Sequence, residues 1–176
     1  MQTLNDALAA NANILDLRQI LETRRYFEDC FDVVEKFIAE GGYRLYPDEL
    51  KLPQTIVNGT SVKISHRWVN LGVGFCPTNL PQWKDKYKIA FALLNKQTLT
   101  PKYIFVDQGP ELSEFLKGLP KILVSEFKVK KAAAGDYLWA VGIVNTTKDN
   151  AIGIQISAKE KITSDGWLQL SDVTVK

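Results

Sequence analysis

Apolar side chains recur at alternating steps of three and four residues near the start of the chain. This spacing places them on one face of an α-helix, and Gly41-Gly42 marks its end because glycine readily adopts positive φ. After a short first helix, we expect a second one from Ile14 to Glu40. It would be roughly 40 Å long if continuous, with a break near Thr23-Arg24-Arg25 as the alternative. The apolar stripe consists of Leu17, Ile20, Phe27, Phe31, Val34 and Ile38.

The stripe has a heptad-like spacing, which raises the alternative of a coiled coil. It extends over fewer than four heptads and contains aromatic side chains, and both features favour packing on a sheet.

From residue 43 onward the apolar period shortens to two, as is typical of β-strands. Asn58-Gly59 between two such runs predicts a hairpin turn, and Asp149-Asn150 predicts another turn. Beyond the first turn, alternate side chains from Val62 to Trp68, among them His66, fall on one face. The predicted strands are the two arms of 55–75, then 87–94, 101–107, 121–131, 137–146, 151–162 and 167–175.

Pro110 opens a short predicted helix that Gly118 closes, at about residues 110–118. The whole chain, 1–176, is predicted to form a single domain with a helical N-terminal part (1–42) and a mainly β body (43–176). The predicted fold class is α+β, in which N-terminal amphipathic helices pack on a largely antiparallel sheet and one short helix is inserted between strands.

The composition is that of a soluble globular protein, with 45% hydrophobic and 24% charged residues. The N-terminal segment has no basic region followed by an apolar run, and the densest apolar stretches are only strand-length, so we expect neither a signal peptide nor a membrane span. Cys30 and Cys76 could form one bridge, but their setting does not resemble a disulfide framework or a paired-cysteine metal site. We expect reduced thiols and a cytoplasmic location, or a location within a virion if the protein is viral.

Charge is distributed unevenly along the chain. Residues 1–50 contain five basic and ten acidic side chains, whereas residues 51–176 contain seventeen basic and ten acidic ones. Such an asymmetry suggests a partner of opposite charge, which is a nucleic acid, the other half of the chain, or another copy of it.

Familiar catalytic motifs are absent from the sequence. There is no P-loop, no dinucleotide-binding glycine motif, no G-x-S-x-G and no H-E-x-x-H. The single histidine, His66, shares its strand face with apolar neighbours, which favours a core or interface role over a catalytic one. We therefore predict no cofactor and no metal site.

One pair of residues gives an alternative, catalytic hypothesis. Glu126 and Lys128 point the same way on a predicted strand, and Asp107 ends an earlier strand. Together they resemble the PD-(D/E)xK nuclease pattern, which implies that Asp107 and Glu126 hold a divalent metal and that Lys128 assists the attacking water. Where that family has a helix after this strand, the present chain has another strand, and an exposed strand face also explains the pair.

A second alternative is a nucleic-acid-binding surface. Aromatic and lysine side chains interleave in residues 83–88, as they do on stacking platforms in basic grooves, although Arg67 is the only arginine after Arg44. The candidate interaction residues are Trp83, Lys84, Lys86, Lys88, Lys128, Lys130 and Lys131.

The charge asymmetry supports the main hypothesis. The acidic helical part of one copy would meet the basic body of another, or of a protein partner, in a head-to-tail contact. We therefore expect a non-catalytic assembly or protein-interaction subunit and no membrane contact. A ring-forming component of a viral, phage-like particle or a similar machine is the specific form of this hypothesis.

Overall fold

The computed structural model describes residues 2–14, 16, 20–159 and 161–176. Within these ranges the chain forms a helical N-terminal part followed by strands. The helices are α1 (Gln2–Ala9), α2 (Ile20–Asp29) and α3 (Phe31–Glu40). The strands are β1 (Leu45–Lys51), β2 (Thr55–Ile56), β3 (Ser61–Asn70), β4 (Tyr87–Asn95), β5 (Pro101–Val106), β6 (Lys121–Lys128), β7 (Gly135–Asn145), β8 (Ala151–Ile154) and β9 (Leu168–Val175).

The strands form two sheets rather than one. The smaller has the order β1-β3-β6, and the larger has the order β2-β9-β7-β4-β5 with β8 beside β7. Alternate side chains from both sheets share one core, for example Ile64 and Trp68 from the smaller sheet with Phe91 and Trp139 from the larger. The body is a β-sandwich, so the α+β class is correct but the single sheet was wrong.

The two predicted turns have different outcomes. Asp149 and Asn150 adopt φ of 48° and 56° and join β7 to β8 in an antiparallel pair, as predicted. Asn58-Gly59 also forms a turn, but the predicted hairpin is wrong because β2 pairs with β9, in parallel, while β3 pairs with β1 and β6. The turn carries the chain from one sheet to the other.

The predicted helix at 110–118 is also wrong. Only Leu112–Glu114 is helical, as a single 3₁₀ turn. The backbone that follows this turn is bonded to β3 instead. The Asn70 side chain donates to the Phe115 carbonyl oxygen at 2.8 Å, and Asn70 forms a β-bridge with Lys117. These bonds to the end of β3 replace the bonds that would continue a helix.

The long N-terminal helix is wrong as well. α2 ends at Asp29 and α3 begins at Phe31, so the break falls at Cys30, with φ −143° and ψ 36°, and not at Thr23–Arg25. Ile14 precedes α2, and Leu17 lies outside the described residues. The predicted end at Gly41-Gly42 is confirmed, and Gly42 has φ 70°.

The helices form a cluster of their own instead of placing their stripe against a sheet. Leu4, Val33 and Val34 are buried together, with Tyr26 and Cys30 beside them. Of the described members of the predicted stripe, only Val34 is buried, whereas Ile20, Phe27, Phe31 and Ile38 are exposed.

The helical part is attached to the sandwich by a tight crossing of two segments. Gly74 N donates to the Gly42 carbonyl oxygen at 2.8 Å, and the Asn13 side chain donates to the Phe75 carbonyl oxygen at 3.0 Å. A Cβ atom on Gly74 would lie 2.0 Å from Asn13 Oδ1 and 2.9 Å from the backbone carbonyl carbon of Gly42, which cannot move aside as a side chain can, so glycine is required there. This crossing lies just past the end of β3 at Asn70.

Candidate interaction surfaces

The Glu126–Lys128 pair lies on the exposed face of β6, an edge strand of the smaller sheet. Glu126 accepts a hydrogen bond from Ser61 Oγ at 2.7 Å, and its carboxylate lies 3.4 Å from Lys63 Nζ. The hydrogen bond from Ser61 and then the charge of Lys63 lower the pKa of Glu126. The Glu126 carboxylate is therefore bonded to side chains of the adjacent strand, β3.

The structure does not bring Asp107 to this pair. Asp107 Oδ2 accepts a hydrogen bond from Ser125 Oγ, and Ser125 points to the opposite side of β6 from Glu126. Asp107 Oδ1 accepts a bond from Gly109 N at 2.9 Å. In the part of the chain that the structure describes, no three histidine, cysteine or carboxylate side chains are grouped to hold a metal ion.

Asp107 instead ends a chain of buried hydrogen bonds that joins the two sheets. Trp68 Nε1 donates to His66 Nδ1 at 2.8 Å, and His66 Nε2 lies 2.8 Å from Ser125 Oγ, which donates to Asp107. Indole N–H is only a donor, so His66 Nδ1 is the acceptor and Nε2 carries the proton. The sequence predicted the burial of His66 but not its partners, because they lie on other strands.

This series of hydrogen bonds contains the residue types of a nucleophilic triad, but its hydrogen-bond directions are not those of a triad. His66 donates to Ser125 and therefore cannot remove its proton, and Ser125 is only 2% exposed. Burial lowers the pKa of His66 to about 4, while the charge of Asp107 opposes the shift. The hydrogen bonds satisfy buried polar groups and connect β3, β6 and the end of β5.

The aromatic and lysine side chains of residues 83–88 contact other side chains of the same segment. Lys86 Nζ lies 5.5 Å from the Trp83 ring centroid and 5.4 Å from that of Tyr87. Lys88 is buried, and its Nζ is 2.9 Å from Asp85, so it is unavailable to a partner. Lys84 is exposed.

The remaining candidate lysines gather at the other end of the sandwich, around Asn58. Lys128 pairs with Ser61, Gly59 N donates to the Val129 carbonyl oxygen at 2.8 Å, and Asn58 N donates to the Lys176 carbonyl oxygen at 3.1 Å. Lys176 could not be assigned to this surface from the sequence, because only the β2–β9 pairing brings the end of β9 here. We call this surface the lysine end; it consists of the exposed side chains of Lys128, Lys130, Lys131 and Lys176, together with the exposed Val57 next to Asn58 in the chain.

Five of the exposed large apolar side chains of the described residues lie on the helices α2 and α3. Phe27 and Phe31 lie with their ring centroids 6.0 Å apart and are 42% and 52% exposed. Acidic side chains adjoin them, and we call this surface the helical face; it consists of Ile20, Leu21, Phe27, Phe31 and Ile38 with the exposed acids Asp29, Asp32 and Glu35.

An apolar groove of about 650 Å³ lies near the junction of the helical part and the sandwich. Tyr46, Val69, Leu71, Leu119 and Pro120 form most of its wall. The polar side chains at its rim have partners: Lys117 is 3.0 Å from Glu40, and Asp48 accepts two bonds from Arg67. The groove therefore offers mainly hydrophobic contact.

None of the helices in the described ranges is long and apolar enough to cross a membrane.

Comparisons with known proteins identify no family. No family model matches the sequence, and no curated protein matches it. Among solved structures, a Niemann-Pick type C2 protein from the Japanese carpenter ant is 9% identical with a TM-score of 0.45, covering 76% of this chain and 93% of that one. A CARDB domain from Pyrococcus furiosus, crystallised with di-metal ions, is 14% identical with a TM-score of 0.38, covering 76% and 93%.

A third similar structure is the alkylpurine DNA glycosylase AlkC of Pseudomonas fluorescens, bound to DNA containing an abasic site analog. It is 12% identical with a TM-score of 0.40, and the match covers 90% of this chain and 40% of the glycosylase. Similarities at this level carry no argument about function.

Proposed function

We propose that the protein is a non-catalytic assembly subunit whose helical face docks on another copy of the same chain. The observation that carries the proposal is the exposure of the helical face. An amphipathic stripe normally covers a core, but here four of its described members are exposed and adjacent to acids. Large apolar patches with a polar rim are typical of protein interaction sites.

Protein contact fits this surface better than a catalytic role fits the sites described above. Glu126 is bound to Ser61 and Lys63, and Asp107 is bound on the other side of β6. A head-to-tail contact uses two different surfaces, which close into a ring or continue as a filament according to the rotation between copies. A ring in a viral, phage-like particle is one form of this assembly.

The test is the mass in solution of the wild-type protein and of the double variant Phe27→Ser, Phe31→Ser. We expect the wild type to self-associate and the variant to weaken that association by at least about tenfold, since aromatic anchors dominate interfaces. Leu80→Ser is the matched control, because Leu80 is also 42% exposed but lies outside the helical face. A wild-type protein that is monomeric at every concentration, or a double variant that associates as the wild type does, would contradict the proposal.

A further inference from the structure

We infer that the surface that receives the helical face is the lysine end of a second copy, so that copies associate head to tail. This inference rests on the assembly function proposed above and names its acceptor. Three observations carry it: the charges of the two surfaces, their similar layout, and their placement in the molecule.

The lysine end carries charge that the described part of the chain does not neutralise. Lys128, Lys130, Lys131 and Lys176 are exposed, and none has a carboxylate of a described residue within 4.0 Å. Some lysines elsewhere are paired, as Lys63 is with Glu126 and Lys96 is with Asp172. Other exposed lysines of the body also lack an ion pair with a described residue, among them Lys84, Lys102, Lys148 and Lys161. The lysine end is distinguished by holding four such lysines around one turn, at the end of the sandwich away from the helices.

The helical face carries acidic side chains that no base of the described residues meets, although Arg25 and Lys36 are also exposed on the same helices. Asp29, Asp32 and Glu35 are exposed and lack a basic partner among the described residues, whereas Glu28 lies 4.0 Å from Arg24. Contact between such surfaces pairs charges of opposite sign, which favours encounter and fixes orientation.

Both surfaces also include an exposed apolar side chain. Val57, which precedes Asn58 in the chain, is 50% exposed, and Phe31, which precedes Asp32, is 52% exposed. An apolar centre within a charged rim is the usual layout of a protein interface. The lysine end contains no arginine, and the nearby Tyr103 and Tyr137 hydroxyls are bonded to the Ala133 backbone.

The two surfaces cannot meet within one copy. Ser61, the first residue of β3, pairs with Lys128, and the helical part attaches just past Asn70, the last. A strand of ten residues spans about 30 Å. The two surfaces can therefore pair only between molecules, and the contact leaves one free surface of each kind at the ends of every open chain.

The experiment uses two charge-reversal variants of the full chain, studied by sedimentation separately and mixed. One is Lys128→Glu, Lys130→Glu, Lys131→Glu; the other is Asp29→Lys, Asp32→Lys, Glu35→Lys. We expect each alone to self-associate at least about tenfold more weakly than the wild type. An equimolar mixture should recover association, because the unaltered helical face of the first variant pairs with the unaltered lysine end of the second, and the two reversed surfaces pair with each other. Circular dichroism checks that each variant is folded.

The control variant is Lys84→Glu, Lys148→Glu, Lys159→Glu, which reverses three exposed lysines away from the lysine end. We expect it to associate as the wild type does. If the wild type associates and the variant Lys128→Glu, Lys130→Glu, Lys131→Glu associates equally well, the acceptor is a different surface. That result overturns the inference while the assembly function stands. A wild type that never associates overturns both, and a monomer that binds a DNA oligonucleotide through these lysines shows that the occupant is a nucleic acid.

Discussion

His66 shows how a residue of ordinary appearance acquires a defined protonation state from its partners. Both of its ring nitrogens are used, one as the acceptor from Trp68 and the other as the donor to Ser125. Imidazolium has only donors, so protonation of His66 would set two N–H groups against each other at Trp68. The hydrogen bonds of His66 to Trp68 and Ser125 therefore stabilise its neutral form.

This arrangement predicts a loss of stability in acid. The folded-state pKa of His66 is about 4, below its ordinary value of 6.5, so the unfolded chain binds the proton more tightly. Stability contributed by the neutral histidine is complete above about pH 6.5 and falls as the pH drops toward 4, by up to about 3 kcal/mol. Urea unfolding at pH 7 and at pH 4.5 measures the change.

The control is His66→Gln, which does not titrate but can still donate and accept. Its free energy of unfolding should fall less between the two pH values than that of the wild type, because the carboxylates contribute to both proteins alike. Equal losses in the two proteins would show that His66 does not titrate between the folded and unfolded states in this way.

At the scale of elements, local patterns predicted most strands but not their partners. The alternation from Val62 to Trp68 and the apolar run in β4 specify strands because burial of one or both faces requires those side chains. Asn58-Gly59 specifies a turn only. The bonds from this turn to Val129, Ala132 and Lys176 decide which sheet each arm joins, and such long-range contacts leave no local signal.

The helices show the same limit. The three-and-four spacing predicted helical structure across Cys30, and the structure has helices on both sides of that residue. The break and the exposure of Phe27 and Phe31 depend on how α1 and α3 pack around Leu4, Val33 and Val34, which a stripe alone does not specify. Within the candidate surfaces, the lysines and acids were readable as charges, but their separation to opposite ends required the strand pairing.

The crossing of Gly42, Gly74 and Asn13 predicts that the helical part can be released without unfolding the sandwich. In Gly74→Ala, the new Cβ atom would lie 2.0 Å from Asn13 Oδ1 and 2.9 Å from the Gly42 carbonyl carbon. We expect amide hydrogen exchange to accelerate by at least about tenfold in α1 and α3, while the strands β4 and β7 keep their protection.

Gly109→Ala provides the comparison, since a Cβ atom there would meet only Asp107 Oδ1, at 3.3 Å. We expect this variant to leave the exchange of the helices unchanged. Acceleration in the strands of Gly74→Ala equal to that in the helices would mean that the two parts unfold as one unit.

At the scale of the whole molecule, the formal net charge of +2 conceals a polar arrangement. The helices at one end expose Asp29, Asp32 and Glu35 beside apolar side chains, and the other end exposes four lysines that no carboxylate of the described residues meets. The sandwich holds the two surfaces about 30 Å apart, as the length of β3 indicates. Because of this separation, the uneven charge along the sequence becomes a difference between the two ends of the molecule. The proposed head-to-tail assembly depends on that difference.

The most direct test of this account is the mass of the wild-type protein in solution at low and at high salt, over a range of concentrations. Charge pairing between copies is screened as salt rises, so we predict assemblies that are multiples of 19.8 kDa at about 50 mM salt and a shift toward the monomer at about 500 mM. The apolar centre of the contact would leave some association at high concentration. A single 19.8 kDa species under every condition would contradict the account.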